Sequence, residues 1–340
     1  MEVDFNQFDI KALRSSSLFE ESVLFFLKDW FSPDVAVAVQ TSGSTGEPKR
    51  FLVEKERMRS SARMTVDFLG LKPGDTALLA LPVQYISGKM MVVRAAERRL
   101  KLWVGESSLT PLAKLDRHVD FCALTPLQVE HSLDKIHWVK NLIIGGAAVS
   151  ESLKARLRAR LNELAAEVRV FETYGMTETL SHIALKAIYP KDDGCFSVLE
   201  GVAVDLDDRG CLVVDAPALA EGRLHTNDLV KMEEAGRFRF LGRVDHVINS
   251  GGAKISPEVL EAVVRRYVSN EVLFVGERDE ILGQRLVLVV EGERNAELCK
   301  VIEGIAFGKS FHRPKRVVFL PVFPRTPNGK VDRRAVLDLL

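Results

Sequence analysis

From Lys55 to Phe171 the sequence alternates helical stripes with short apolar runs, and few folds accept that rhythm. Lys55–Leu69 has a helical pattern that stops at Gly70, and Thr76–Leu81 follows as an apolar strand. Gly88–Arg99 reads as a helix, Leu100–Val104 and Val119–Leu124 as strands, and Pro126–Leu133 as a helix. Trp138–Ile144 is a strand that ends in Gly145-Gly146. Ser150 is placed to cap a helix with Leu153, Leu157, Leu161 and Leu164 along one stripe, and Val168–Phe171 is the next strand. Strands separated by helices predict an α/β fold with a mostly parallel sheet covered on both faces.

The pattern changes from about Phe196. Short β-like runs (Val202–Leu206, Cys211–Val214, Arg237–Leu241) lie between turns such as Asp207-Asp-Arg-Gly210 and predict a small β-rich subdomain. Beyond Gly242 come a helix (Pro257–Tyr267), two strands (Glu271–Val275, Arg285–Val290), a helix (Ala296–Phe307) and a closing strand (Arg316–Leu320). We therefore expect a large N-terminal domain over 1–244 and a small α+β C-terminal domain over 245–340. Residues 1–34 read as a short helical lead-in.

With 46% hydrophobic and 28% charged residues the chain is globular, and at 340 residues it is long enough for two domains. Lys+Arg and Asp+Glu both number 47, so charge gives no global case for nucleic acid or an anionic membrane surface. No apolar run approaches the ~18 residues of a membrane span. The acidic start lacks the layout of a signal peptide, and a cytoplasmic protein is expected. Cys122, Cys195, Cys211 and Cys299 show no C-x-x-C spacing and read as free, largely buried thiols. Homo-oligomer formation stays open.

Five stretches can carry chemistry. Thr41-Ser-Gly-Ser-Thr-Gly-Glu-Pro-Lys49 follows Val35–Val39, which reads as a buried strand. Its glycines, Gly43 and Gly46, permit the close backbone approach that lets N–H groups surround a phosphate, and Thr41, Ser42, Ser44 and Thr45 add hydroxyls. Glu-Pro separates Gly46 from Lys49, so this is not a Walker loop. Tyr174-Gly-Met-Thr-Glu-Thr179 holds one carboxylate, Glu178, at a strand end, where it suits Mg²⁺. Asp228 can accept from two ribose hydroxyls, and Arg243 can donate to ribose or phosphate. Asn249-Ser-Gly-Gly-Ala-Lys-Ile-Ser-Pro257 is a glycine turn feeding a helix. Pro324-Arg-Thr-Pro-Asn-Gly-Lys330 is a stiffened turn that ends in an ammonium suited to charge on a transferring phosphoryl group. Taken singly, each also fits an ordinary solvated loop.

In this order and at these separations they resemble the adenylate-forming superfamily, which holds acyl-CoA synthetases, peptide-synthetase adenylation domains and luciferases. The resemblance runs from residue 41 to the C-terminus. It departs at Thr226-Asn-Asp228, where the family usually has Thr-Gly-Asp, and in having only 40 residues before the glycine-rich loop. The resemblance implies that a carboxylate joins ATP to give acyl-AMP and pyrophosphate, and that the acyl group then passes to a thiol, usually that of CoA. It implies that the 41–49 loop, with Lys49, holds the β- and γ-phosphates and that Thr45 and Glu178 serve Mg²⁺. Gly145, Gly146, Ala147, Thr173, Tyr174, Gly175 and Thr177 would line the nucleotide, and Asp228 and Arg243 would take its ribose. Lys330 would bridge carboxylate and α-phosphate. Rotation at Asp245 would then withdraw it and bring the face around Gly251 and Gly252 to the thiol.

Leu81-Pro-Val-Gln-Tyr-Ile-Ser-Gly-Lys-Met-Met91 and Thr177-Glu-Thr-Leu-Ser-His-Ile-Ala184 are similar to one branch of that superfamily, the o-succinylbenzoate–CoA ligases of menaquinone synthesis. Such a substrate has an aromatic ring and two carboxylates. Tyr85, Ile86 and Gly88 would form a flat apolar wall, Thr179 and Ser181 would lie beside it, and Lys89 or His182 would pair with the carboxylate that is not activated. Other aryl or acyl-CoA ligases, a carrier-protein-loading ligase and a non-catalytic nucleotide binder remain as alternatives.

Overall fold

The structure, a computed structural model, describes residues 1–40, 50–234, 236–325 and 331–340, Arg50 by its backbone. The first part of the chain forms β1 (Glu2–Asp4), α1 (Leu18–Trp30), β2 (Ala36–Gln40), β3 (Arg50–Glu54), α2 (Lys55–Leu69), β4 (Thr76–Leu79), α3 (Ile86–Arg98) and β5 (Lys101–Val104). Next come β6 (Val119–Leu124), α4 (Pro126–Glu130), β7 (Val139–Ile144), α5 (Glu151–Glu163), β8 (Arg169–Gly175), β9 (His182–Tyr189) and β10 (Phe196–Val198). Four strands follow, β11 (Ala203–Leu206), β12 (Cys211–Asp215), β13 (Arg223–Glu234) and β14 (Arg237–Arg243). The last part holds β15 (Ile248–Ser250), β16 (Ala253–Ile255), α6 (Pro257–Val264), β17 (Val272–Asp279), β18 (Gly283–Glu291), α7 (Ala296–Glu303), β19 (Arg316–Leu320) and α8 (Arg333–Asp338).

Among the described residues, twelve strands form one sheet in the order β1-β5-β4-β6-β7-β8-β9-β10-β14-β13-β12-β11. The run β5-β4-β6-β7-β8 is parallel. Side chains of a strand alternate between faces, and here both faces are apolar. Leu79, Phe121, Ala123, Ile143 and Phe171 pack in one cluster with α1, α2 and α3. Leu78, Cys122, Leu124, Leu142, Ile144 and Val170 pack in a second cluster with α5. That double burial explains why these strands read as continuous apolar runs. The helices keep their expected ends: Gly70 closes α2 in the left-handed region at φ 66, and the Ser150 side chain accepts from Leu153 N–H at the start of α5.

The β-rich part is not a separate sheet. Beyond β8 the pairings of this sheet are antiparallel, and β9 joins this half edge to edge to the parallel half. It has its own core of Ile183, Phe196, Leu212, Val214 and Phe238. A second sheet, β16-β15-β18-β17 with β19 beside β18, holds the last part of the chain. Its core includes Leu260, Val264, Phe274 and Leu288, and α6 also packs against β14 of the large sheet.

Two readings change. Val35–Val39 does not supply a strand of the main sheet; among the described residues β2 pairs with β3 alone, as an antiparallel ribbon. Val37 and Val39 are buried while Val35 is 80% exposed, so the strand has one covered face and not two. Residues 1–34 also include a strand, β1, which extends the parallel half antiparallel to β5.

Candidate active site

The parallel strands place a cavity at their carboxyl ends. From β4 the chain crosses to β5 on one side, and β6 then pairs on the other side of β4. Such a reversal leaves a crevice that adjoining helices do not fill. A cavity of about 630 Å³ lies there, walled by Leu81, Pro82, Tyr85 and Ile86 after β4 and by Ala123, Leu124 and Thr125 at the end of β6. Gly145, Gly146, Thr173, Gly175, Met176, Thr177, Ser181 and His182 line it as well. Gln40 also lines it; that residue precedes the 41–49 stretch, which lies outside the described residues, Thr45 included.

Local chemistry sets the walls. The Thr125 side chain caps α4 through Gln128 N–H, and Gln128 Nε2 reaches the carbonyls of Ala80 at 3.2 Å and Ser108 at 3.0 Å. One amide thus ties three segments of the rim together. A Cβ on Gly145 would come 2.5 Å from Thr173 Oγ1, so only glycine fits after β7 beside Thr173 of β8. A Cβ on Gly88 would meet the Pro82 carbonyl at 2.2 Å; Gly88 shapes the start of α3 and is itself buried, behind the cavity wall.

After β8 the chain turns sharply into β9. Thr179 is fully buried; its hydroxyl accepts from Met176 N–H at 3.0 Å and donates to the Ser181 carbonyl at 2.7 Å. Leu180 takes φ 64, and a Cβ on Gly175 would collide with the Ser181 carbonyl at 2.2 Å. Thr179 is therefore a brace of the turn. Glu178 projects from it into solvent. One exposed carboxylate fits Mg²⁺, which keeps several waters and takes phosphate oxygens as its other ligands.

Tyr174 faces away from the cavity. Its hydroxyl donates to Asp228 Oδ2 at 2.5 Å, and burial together with the Asp228 charge pushes the phenol pKa up. Asp228, 8% exposed on β13, also accepts from Arg243 Nη1 at 3.1 Å. Arg243 in turn holds Asp245. Burial opposes ionisation of Asp245, but the hydrogen bonds from Arg243 prevail and hold its carboxyl below the usual range. A chain of contacts thus runs from Tyr174, beside the cavity wall, to Asp245. Ala147 is exposed beyond Gly146. Gly251 and Gly252 form the two-residue tip of the β15–β16 hairpin, at φ 57 and 81, the geometry that such a turn demands. Lys330 lies outside the described residues.

The structure does not bring Lys89 into the cavity. Its Nζ sits 4.4 Å from the centroid of the Phe26 ring, where burial lowers its pKa. His182 does line the cavity, but burial, with the Arg94 charge adding to it, drives its pKa well below the ordinary histidine value. The ring is neutral. The charge in the wall belongs to Arg94, which residue-by-residue reading of the sequence overlooked. Arg94 is 2% exposed, lines the cavity and donates Nη2–H to Ser181 Oγ at 2.6 Å. Its Nε has no partner, and no carboxylate among the described residues pairs with it. Burial pushes its pKa down to about 9, so it remains a cation at neutral pH. The available signal was a lone charge inside the run Met90-Met-Val-Val-Arg-Ala-Ala96.

The chain belongs to the AMP-binding enzyme family, whose model matches residues 27–222. Along its sequence it is similar to the 2-succinylbenzoate–CoA ligase of Listeria monocytogenes, 26% identical over 349 residues, which span 92% of this chain and 72% of that protein. Its fold is similar to an acyl-CoA synthetase (AMP-forming)/AMP-acid ligase II-like protein from Dyadobacter fermentans, at 31% identity and TM-score 0.67, covering 100% of this chain and 99% of the other. The fold is also shared with o-succinylbenzoate coenzyme A synthetase from Bacillus subtilis in complex with ATP and magnesium ion, at 21% identity, TM-score 0.73 and coverage of 87% and 68%.

Proposed function

We propose that this enzyme is an ATP-dependent acid–CoA ligase that converts o-succinylbenzoate to its CoA thioester in menaquinone synthesis. The observation that carries the substrate is Arg94, a buried guanidinium in the cavity wall with no carboxylate paired to it among the described residues. An uncompensated buried charge is costly, and a ligand that brings the missing anion recovers that cost on binding. An acid that carries a second carboxylate besides the one that reacts meets this need. The aryl ring would lie against Tyr85 and Ile86, with Gly88 letting the start of α3 pack against the Pro82 backbone behind them.

Attack of the acid on the α-phosphate is mainly a matter of position and charge. In this reading the 41–49 loop, with Lys49, holds the terminal phosphates, and Glu178 and Thr45 hold Mg²⁺, which offsets their charge. Gly145, Gly146, Ala147 and Thr173 border the adenine, and the absence of a side chain at Gly145 lets Thr173 pack beside it. Asp228 and Arg243 serve the ribose. Residues 1–244 bind ATP and acid, while 245–340 carry Lys330 and turn about Asp245 to bring Gly251 and Gly252 to CoA. ATP, Mg²⁺ and CoA are the implied cofactor and co-substrates, and the cytoplasm is the expected compartment.

The test is pyrophosphate release from ATP and Mg²⁺ with o-succinylbenzoate, benzoate, a short fatty acid and a long one, each with and without CoA. Turnover confined to o-succinylbenzoate supports the reading. Turnover with a monocarboxylate at equal efficiency moves the substrate and leaves Arg94 unexplained, and transfer only to a carrier protein replaces CoA.

A further inference from the structure

We propose that Thr65, on α2 and outside the cavity lining, is a positioning residue for the acid: acting through His182 and Ser181, it fixes how Arg94 presents its free N–H groups. This rests on the reading that Arg94 receives the second carboxylate of the substrate.

The argument is one of proton direction. Thr65 is fully buried, and its hydroxyl has a single proton. The Ser61 carbonyl, 3.2 Å away, can only accept, so that proton points there. With the proton assigned to Ser61, Thr65 Oγ1, which faces His182 Nε2 at 3.0 Å, acts as the acceptor, and the ring proton sits on Nε2. The neutral ring has one proton, so Nδ1 is bare. Ser181 Oγ lies 3.4 Å from Nδ1 and already accepts from Arg94 Nη2 at 2.6 Å, which leaves the serine proton for Nδ1. Every link runs in one sense, from the guanidinium through Ser181 to one side of the imidazole, and from its other side through Thr65 to the helix carbonyl.

The opposite tautomer would place a proton on Nδ1, a second donor to the serine oxygen that already accepts from Arg94, and would leave the serine proton without its imidazole acceptor. The Thr65 proton would have to leave Ser61 to meet Nε2. Without the Thr65 oxygen, an Nε2 proton has no acceptor in a buried site, and the favoured tautomer is lost. The Ser181 hydroxyl then turns toward the cavity and Arg94 loses its fixed bearing.

The experiment compares Thr65→Val, which keeps shape and removes the hydroxyl, with Thr65→Ser, which restores it, and with Arg94→Met. Thr65→Val is expected to raise the KM for o-succinylbenzoate about tenfold, the loss expected for one misdirected hydrogen bond, with the KM for ATP unchanged. Thr65→Ser is expected to return to the parent value. The ring ¹⁵N shifts of His182 should report the Nε2–H tautomer in the parent and in Thr65→Ser, and its loss in Thr65→Val. If Arg94→Met raises the acid KM while Thr65→Val changes neither that KM nor the His182 tautomer, the positioning role is overturned. If Arg94→Met leaves the acid KM unchanged, the reading of Arg94 itself fails.

Discussion

Arg243 clasps Asp245 with two parallel hydrogen bonds, Nε to Oδ1 at 2.9 Å and Nη2 to Oδ2 at 3.0 Å, while Nη1 reaches Asp228 at 3.1 Å. One guanidinium therefore joins the proposed ribose residue to the proposed hinge. A planar fork suits this double grip, which a lysine cannot reproduce. Across the same junction, Ser256 Oγ donates to the Leu241 carbonyl at 2.9 Å. We expect Arg243→Lys to raise the KM for ATP and to slow thioester formation together, because both ends of the grip are weakened. A change in only one of the two, read from separate half-reaction assays, would uncouple them.

Rotation at Asp245 gives a sharper expectation. Proline there fixes φ and removes an N–H. Asp245→Pro should leave adenylate formation within a few-fold and cut thioester formation by about a hundredfold, the scale of a misplaced reacting group. Lys330→Ala should do the reverse, abolishing adenylate formation while supplied acyl-AMP is still converted. Pyrophosphate release and CoA-thioester production, followed separately, distinguish the two patterns.

Replacing Arg94 by methionine keeps length and apolar packing but removes the charge. A hydrogen-bonded charge contributes roughly 1.5–3 kcal/mol, so the KM for o-succinylbenzoate should rise by about 10- to 100-fold. Any slow turnover of benzoate should be unchanged or improved, since a buried unpaired cation has been removed. Steady-state kinetics with both acids decide this.

The thiols offer a test of packing. Cys122, Cys195 and Cys211 are buried and Cys299 is partly exposed. Burial pushes the Cys122 thiol up to about 12, so at pH 8 it stays protonated and unreactive. A thiol reagent should label Cys299 first in the native enzyme and reach the other three only on unfolding. Rapid labelling of Cys122 without unfolding would contradict the double-layered core.

Phe121 lies at the centre of that core, fully buried between β6 and the helices of one face. Phe121→Ala should cost about 3–5 kcal/mol through lost burial and the cavity left behind. Denaturant titration of the large sheet body measures the loss.

The elements that the sequence determined are those whose pattern is local. Lys55–Leu69 was legible as a helix because its apolar period ends on a residue free to take positive φ, and Val119–Leu124 as a strand because both of its faces are apolar. The family motifs were legible too, since glycine spacing and hydroxyl content carry meaning within a few residues. Pairings between distant segments were not. The long strands His182–Tyr189 and Arg223–Glu234 carry polar residues at positions that the sheet tolerates only because neighbouring strands cover or expose them. β2 took β3 as its partner, which no pattern inside Ala36–Gln40 could announce.

Lys89 and Arg94 show the same division within the site. They lie five residues apart on α3, hence about 140° apart around the helix. The sequence offers both as cations beside the same motif. Only the packing of α3 decides that Lys89 turns to Phe26 while Arg94 enters the cavity. The contacts that matter most there, Arg94 to Ser181 and His182 to Thr65, span 87 and 117 residues, and such distances are closed by the tertiary fold alone.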